Sequence, residues 1–163
     1  MKLRQIIAGL AGLIVFIIAA SLMMDGSSNN AIGQGAKDVY NYEHLFKGES
    51  DNWRAEYHVN AEQVFYEEDD TLKGASESEE VFKLIYKGSL DELAEVNQLE
   101  WKYETVAGGG GGTRDFGEHF PDTKVFTQYS GGNGAIEPGD QEIKVSVQWD
   151  GNTEEFTLTN TSN

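Results

Sequence analysis

No cysteine occurs among the 163 residues. That absence excludes disulfides, thiolate metal sites and a cysteine nucleophile. It also excludes lipid attachment through an N-terminal cysteine. Basic side chains are scarce, 12 against 28 acidic ones, for a formal net charge of −16. A surface this acidic repels nucleic-acid phosphates and anionic headgroups, and it suits solubility, bound cations or a basic partner. The three histidines, His44, His58 and His119, are isolated, without zinc-ligand spacing around them. The G-x-S-x-G context of a serine nucleophile is missing, as are the phosphate-loop patterns that place glycines before a helix. No catalytic, metal or cofactor-binding residue is therefore assigned.

What is present begins at the N-terminus. Met1 to Gln5 is short and basic, and Ile6 to Met24 is an uncharged run of 19 residues. About 20 apolar residues suffice for a membrane-spanning helix, whose backbone groups are satisfied internally. Lys2 and Arg4 precede the run and Asp25 follows it, so the positive-inside bias puts residues 1–5 in the cytoplasm as a stub. The competing reading is a cleaved secretory signal, whose apolar core is shorter, about 7–15 residues. The length favours a retained signal anchor. Both readings export residues 25–163, which hold 10 basic and all 28 acidic residues, a formal charge of −18.

Residues 25–38, DGSSNNAIGQGAKD, read as a flexible linker, and residues 39–163 as the folded domain. Period-two alternation dominates there. Trp53, Ala55, Tyr57 and Val59 oppose Arg54, Glu56, His58 and Asn60. The same pattern recurs over Glu80–Lys87, Gln98–Val106, Lys124–Tyr129, Glu142–Trp149 and Glu154–Thr159. Asp150-Gly151 predicts a two-residue hairpin turn, Pro138-Gly139 a type II turn, and Ser89-Leu90-Asp91-Glu92 a helix-start capping box. Short strands with one apolar face each predict an all-β fold, an immunoglobulin-like β-sandwich of about 6–8 antiparallel strands preceded by one transmembrane helix.

FKGESDNW at 46–53, YKGSLDEL at 86–93, RDFGEHFPDTKVFT at 114–127, GGNGAI at 131–136 and IKVSVQWDGNTEEFTL at 143–158 occur in this order. Together they resemble a group of small, uncharacterised extracytoplasmic proteins of Bacillus-type Gram-positive bacteria. Members are membrane-anchored or lipoproteins, and this chain departs from the latter in lacking the lipid-carrying cysteine. The resemblance implies location and carries over no activity.

Three stretches are conspicuous enough to weigh as sites. The glycine run in AGGGGGT at 107–113 reads as a flexible loop between strands, since no helix follows it to complete an anion site. Glu67 to Asp70 reads as a solvated hairpin tip, with calcium as the functional alternative. In FKGESDNWRAEYHV, Trp53 and Tyr57 point inward by parity, which leaves Arg54, Glu56 and His58 as the surface binding face. The expected function is a non-enzymatic cell-envelope interaction or binding module, held in the membrane through residues 6–24, with an envelope protein or wall polymer as partner and no nucleic acid. The alternative is a small carboxylate-dependent wall enzyme, which requires two carboxylates facing one cleft.

Overall fold

A computed structural model of the protein describes residues 36–117 and 120–162. The expected stub and membrane span, residues 1–24, and the linker up to residue 35 lie outside them. Among the described residues no helix is long and apolar enough to cross a membrane.

The domain is all-β. Its strands are β1 (Ala36–Glu49), β2 (Trp53–Glu68), β3 (Thr71–Tyr86), β4 (Gln98–Glu104), β5 (Gly109–Asp115), β6 (Val125–Gly132), β7 (Ile143–Trp149) and β8 (Asn152–Asn160). One short helix, α1 (Leu90–Ala94), joins β3 to β4. Ser89 caps it as expected: its hydroxyl accepts the Glu92 N–H, and the Glu92 carboxylate accepts the Ser89 N–H.

All neighbouring strands are antiparallel, in the order β5-β4-β7-β8-β1-β2-β3-β6. The strand number and class match the sequence pattern, while the expected pair of stacked sheets is instead one curled sheet. The joint is β8, which pairs with β7 up to Leu158 and with β1 through Thr159 and Asn160. The two end strands curl towards each other. Phe116, just after β5, and Phe126 of β6 have ring centroids 6.2 Å apart, and Trp101 reaches Phe126 at 5.6 Å. The result is a nearly closed barrel with a seam between β5 and β6.

The inward positions are those of the period-two pattern. Trp53, Ala55, Tyr57 and Val59 are buried, as are Phe82 and Leu84, Leu99, Trp101 and Tyr103, and Ile143, Val145 and Val147. Phe82 and Tyr103 stack across the interior at 4.3 Å with an interplanar angle of 12°. Large rings fill the core of a domain that has no cross-links to help it.

Three segments differ from the sequence reading. The glycine run is not a loop but strand β5, paired along β4 with Trp101 opposite Gly112 and Tyr103 opposite Gly110. A Cβ at Gly112 would collide with the Trp101 ring, and one at Gly110 with the Tyr103 hydroxyl and the Gln128 amide. The large rings of β4 lie over the bare backbone of β5, so glycine is the residue that lets the two strands pair. Strand β1 starts at Ala36, inside the segment expected as linker, because the long β2 continues to Glu68 and offers it a partner as far as Tyr66. The third difference is the Pro138-Gly139 turn. It closes one residue later than a type II turn at that pair, with the Gln141 N–H on the Pro138 carbonyl.

The Asp150-Gly151 hairpin turn forms as expected, both residues taking positive φ, 43° and 83°.

Candidate functional site at the polar end of the barrel

The barrel has two unlike ends. At one, Leu93 and Val96 from the α1 segment pack into the core beside Trp53 and Leu99, and Trp149 stacks edge-on against Trp53 at 5.7 Å. That end is apolar and closed.

The other end is polar. Continuing inward parity along β3 from Leu84 and Phe82 brings Glu80 and then Ser78, both half-buried, to the barrel mouth, and along β6 from Phe126 it brings half-buried Gln128 and, at the exposed rim, Ser130. Ser130 opposes Glu80 across the β3–β6 pair and donates its hydroxyl to the Glu80 carboxylate at 3.0 Å. The Ser78 hydroxyl donates to the other oxygen at 3.3 Å. From the core side the Tyr57 hydroxyl also bonds Glu80. Burial first, then this hydrogen bond and the nearby carboxylates, hold the Tyr57 phenol far above its ordinary value, so it stays protonated and donates. Tyr103, hydrogen-bonded to Ser130, is also raised, chiefly by burial.

The loop after β6 lays Glu137 across this end. Glu137 is 1% exposed, the one charged residue among the described residues to be fully buried. Its two oxygens accept the Ala107 N–H at 3.1 and 3.3 Å, and the Gln141 amide donates to it as well. The Gln141 side-chain oxygen in turn accepts the Val106 N–H at 3.0 Å. The two loops are thereby clipped together over the barrel mouth. Between them and the ends of β3 and β6 lies a cavity of about 340 Å³, lined by Ser78, Glu80, Thr105, Ser130, Glu137 and the surrounding glycines. A second, shallower hollow of about 460 Å³ runs along β4 and β5 past Trp101 and Tyr103, and Gly109 lines both. Both hollows are open to solvent, and most of the residues that line the mouth are exposed.

The surface face read from the sequence lies elsewhere. Arg54, Glu56 and His58 point outward from β2, opposite the core residues Trp53, Ala55 and Tyr57. Glu56 pairs with Lys47 of β1 at 3.9 Å, and His58 lies between Leu45 and Val81 in the strand register. The structure leaves this face open and does not gather its three residues around a cavity. Asp69 and Asp70 form the tip of the β2–β3 hairpin with positive φ of 52° and 56°, and Lys73 pairs with Glu68 beside it. Among the described residues no group of three or more His, Asp or Glu side chains is placed to hold a metal ion. His119 lies outside the described residues, and His44 faces the end loop, next to Asn160 and Gly139.

Of the mouth residues, Glu80 was legible as a glutamate on the core parity of its strand. Glu137 was not, since nothing in a loop pattern marks which residue turns inward. No family model, no curated protein and no solved structure matches the chain.

Proposed function

We propose that the protein is a single-pass, membrane-anchored extracytoplasmic protein whose β domain is a non-enzymatic binding module of the cell envelope, with the polar barrel mouth as its ligand site. The uncharged run at 6–24 behind a basic N-terminus supports the anchor, and so does the likeness to envelope proteins of Bacillus-type bacteria. The observation that carries the binding site is the cavity itself. A buried carboxylate and a hydrogen-bonded Tyr57–Glu80–Ser130 chain converge on a space of ligand size. The experiment is capture of wall fragments and envelope proteins by full-length protein, beside Ser130→Trp, which fills the mouth from an exposed position. Loss of the captured partner in the variant supports the mouth. Retained capture moves the site elsewhere, with Arg54, Glu56 and His58 the next positions to mutate.

One observation favours a second reading. Glu80 and Glu137 line the same cavity, which is what a carboxylate-dependent wall enzyme needs. Release of soluble fragments from purified wall that stops in Glu80→Gln makes the protein an enzyme. Binding without release keeps it a module.

A further inference from the structure

We infer that the outer face of β1, β2 and β3 is a contact between two copies of this chain, stacked with their strands antiparallel. Strand pairing lays the face out in rows. Leu45, His58 and Val81 lie side by side across β1, β2 and β3, and Tyr129 of β6 ends the row. Their chain neighbours Phe46, Tyr57 and Phe82 are buried in the core, so by alternation the row points outward. Leu45 and Val81 are half-buried and Tyr129 is 77% exposed, which makes an apolar band on the solvent side, interrupted by His58.

Charge is arranged about that row with opposite signs on its two sides. On β1, Glu43 and Lys47 flank Leu45 at equal distance. On β3, Glu79 and Lys83 flank Val81 in the same way. On β2, Glu62 and Arg54 lie four residues to either side of His58. The three acids are all on the side of the β2–β3 hairpin tip and the three bases all on the side of the closed end. Glu56, the acid among the bases, is mirrored across the row by the neutral Asn60 and is taken up by Lys47. Residues four apart on a strand are separated by about 13 Å, so Glu79 is out of ion-pair reach of Lys83, and Glu43 of Lys47, within one copy. Among the described residues Glu43, Glu62, Glu79, Arg54 and Lys83 take part in no ion pair. A two-fold axis along the row brings down a second copy with its strands reversed. Leu45, Val81 and Tyr129 then meet their own counterparts, while each acid meets a base of the other copy: Glu43 with Lys47, Glu62 with Arg54, Glu79 with Lys83. One face used twice in this way is an isologous contact, and aligned sheets stack about 10 Å apart, within reach of these side chains. The mirrored charge is what selects a second copy, since a different partner needs no such symmetry. The formal charge of −18 on residues 25–163 opposes association at long range, but physiological salt screens it beyond about 8 Å, so the pairs at contact decide.

The test is sedimentation of full-length protein in detergent micelles over a range of protein concentrations. The wild type is expected to dimerise. Lys83→Glu and Glu79→Lys are each expected to weaken the dimer about tenfold or more, because each sets like charges against one another at two places in the pair. Bulk charge does not imitate this pattern, since Glu79→Lys makes the chain less acidic and on that ground alone would strengthen association. Both substitutions in one chain restore opposite charges and should restore the dimer. A mixture of the two single variants should do the same, a tagged Lys83→Glu chain retaining an untagged Glu79→Lys chain. Arg54→Glu with Glu62→Arg repeats the exchange on β2 should a β3 variant not fold. A monomeric wild type overturns the inference, even where an envelope protein occupies the face instead. A dimer indifferent to the substitutions overturns it too and places the contact elsewhere, the apolar run at 6–24 included. Strengthening by Glu79→Lys, or no recovery in the double variant, overturns the stacking.

Discussion

At the scale of single residues, burial and close approach decide what each position tolerates. Trp53 is fully buried and contacts Tyr86, Phe126 and Trp149 at 5.0, 6.3 and 5.7 Å. Trp53→Ala should cost about 3–5 kcal/mol, read as a drop in denaturant midpoint at constant slope. Gly112→Ala adds one methyl group and should still cost about 1–3 kcal/mol, because the Trp101 ring occupies the space. Arg54→Ala and His58→Ala, on the outer face of the same strand, should each change stability by less than about 0.5 kcal/mol. If Gly112→Ala melts with the wild type, the ring-over-glycine packing is not what holds β5. Trp53 and Tyr57 were legible as core from parity alone, because a strand allows only two directions. The role of Gly110 and Gly112 was not, because glycine carries no side chain to show a pattern. Only the register against Trp101 and Tyr103 reveals what the gaps are for.

At the scale of elements, carboxylates tie the turns together. Asp150, in the β7–β8 turn, accepts the backbone N–H of Asn97 at 2.9 Å and that of Gln98 at 3.1 Å, joining the turn to the start of β4. These bonds, Asn97 first, hold its carboxyl below the ordinary aspartate value. Glu154 of β8 accepts the Ser50 hydroxyl at 2.5 Å, the Asn52 N–H at 3.1 Å and the Asn52 amide at 2.6 Å, holding the β1–β2 turn. Burial works against its ionisation, but these donors and Lys87 outweigh burial and keep its carboxyl low. A carboxylate depressed in the folded state stabilises above its unfolded pKa, about 3.9 for Asp and 4.3 for Glu, and that stability is lost as pH falls through the folded value. Acid unfolding should therefore steepen below about pH 4. Asp150→Asn with Glu154→Gln should flatten the melting-temperature profile between pH 5 and 3, seen by circular dichroism. An unchanged slope removes these two groups as its cause. The GESDN turn was legible from its composition, whereas the glutamate that holds it lies about a hundred residues away, beyond any local pattern.

At the scale of the whole molecule, the proposed anchor and the domain make separate predictions. Full-length protein should stay in the membrane fraction through alkaline washing, and a shortened form in the medium would mark cleavage after the apolar run. The class and strand count were readable because alternation is a local signal. The closure into one curled sheet was not, because it depends on which strands meet at β8. Pairing between chain-distant strands leaves no trace in either segment.

That meeting at β8 sets an order of events. The Phe46–Asn160 and Lys47–Thr159 pairs join the first strand to the last, and the Thr161 N–H and the Ser162 hydroxyl finish the contact on Leu45. The two halves of the sheet cannot join until residues 159–162 meet β1, so the slow step of folding should be this contact between segments more than a hundred residues apart. Without residues 159–162 the hairpins would remain and the join would be lost, leaving two four-stranded half-sheets with β1 and β8 as two more bare edges for another copy to find.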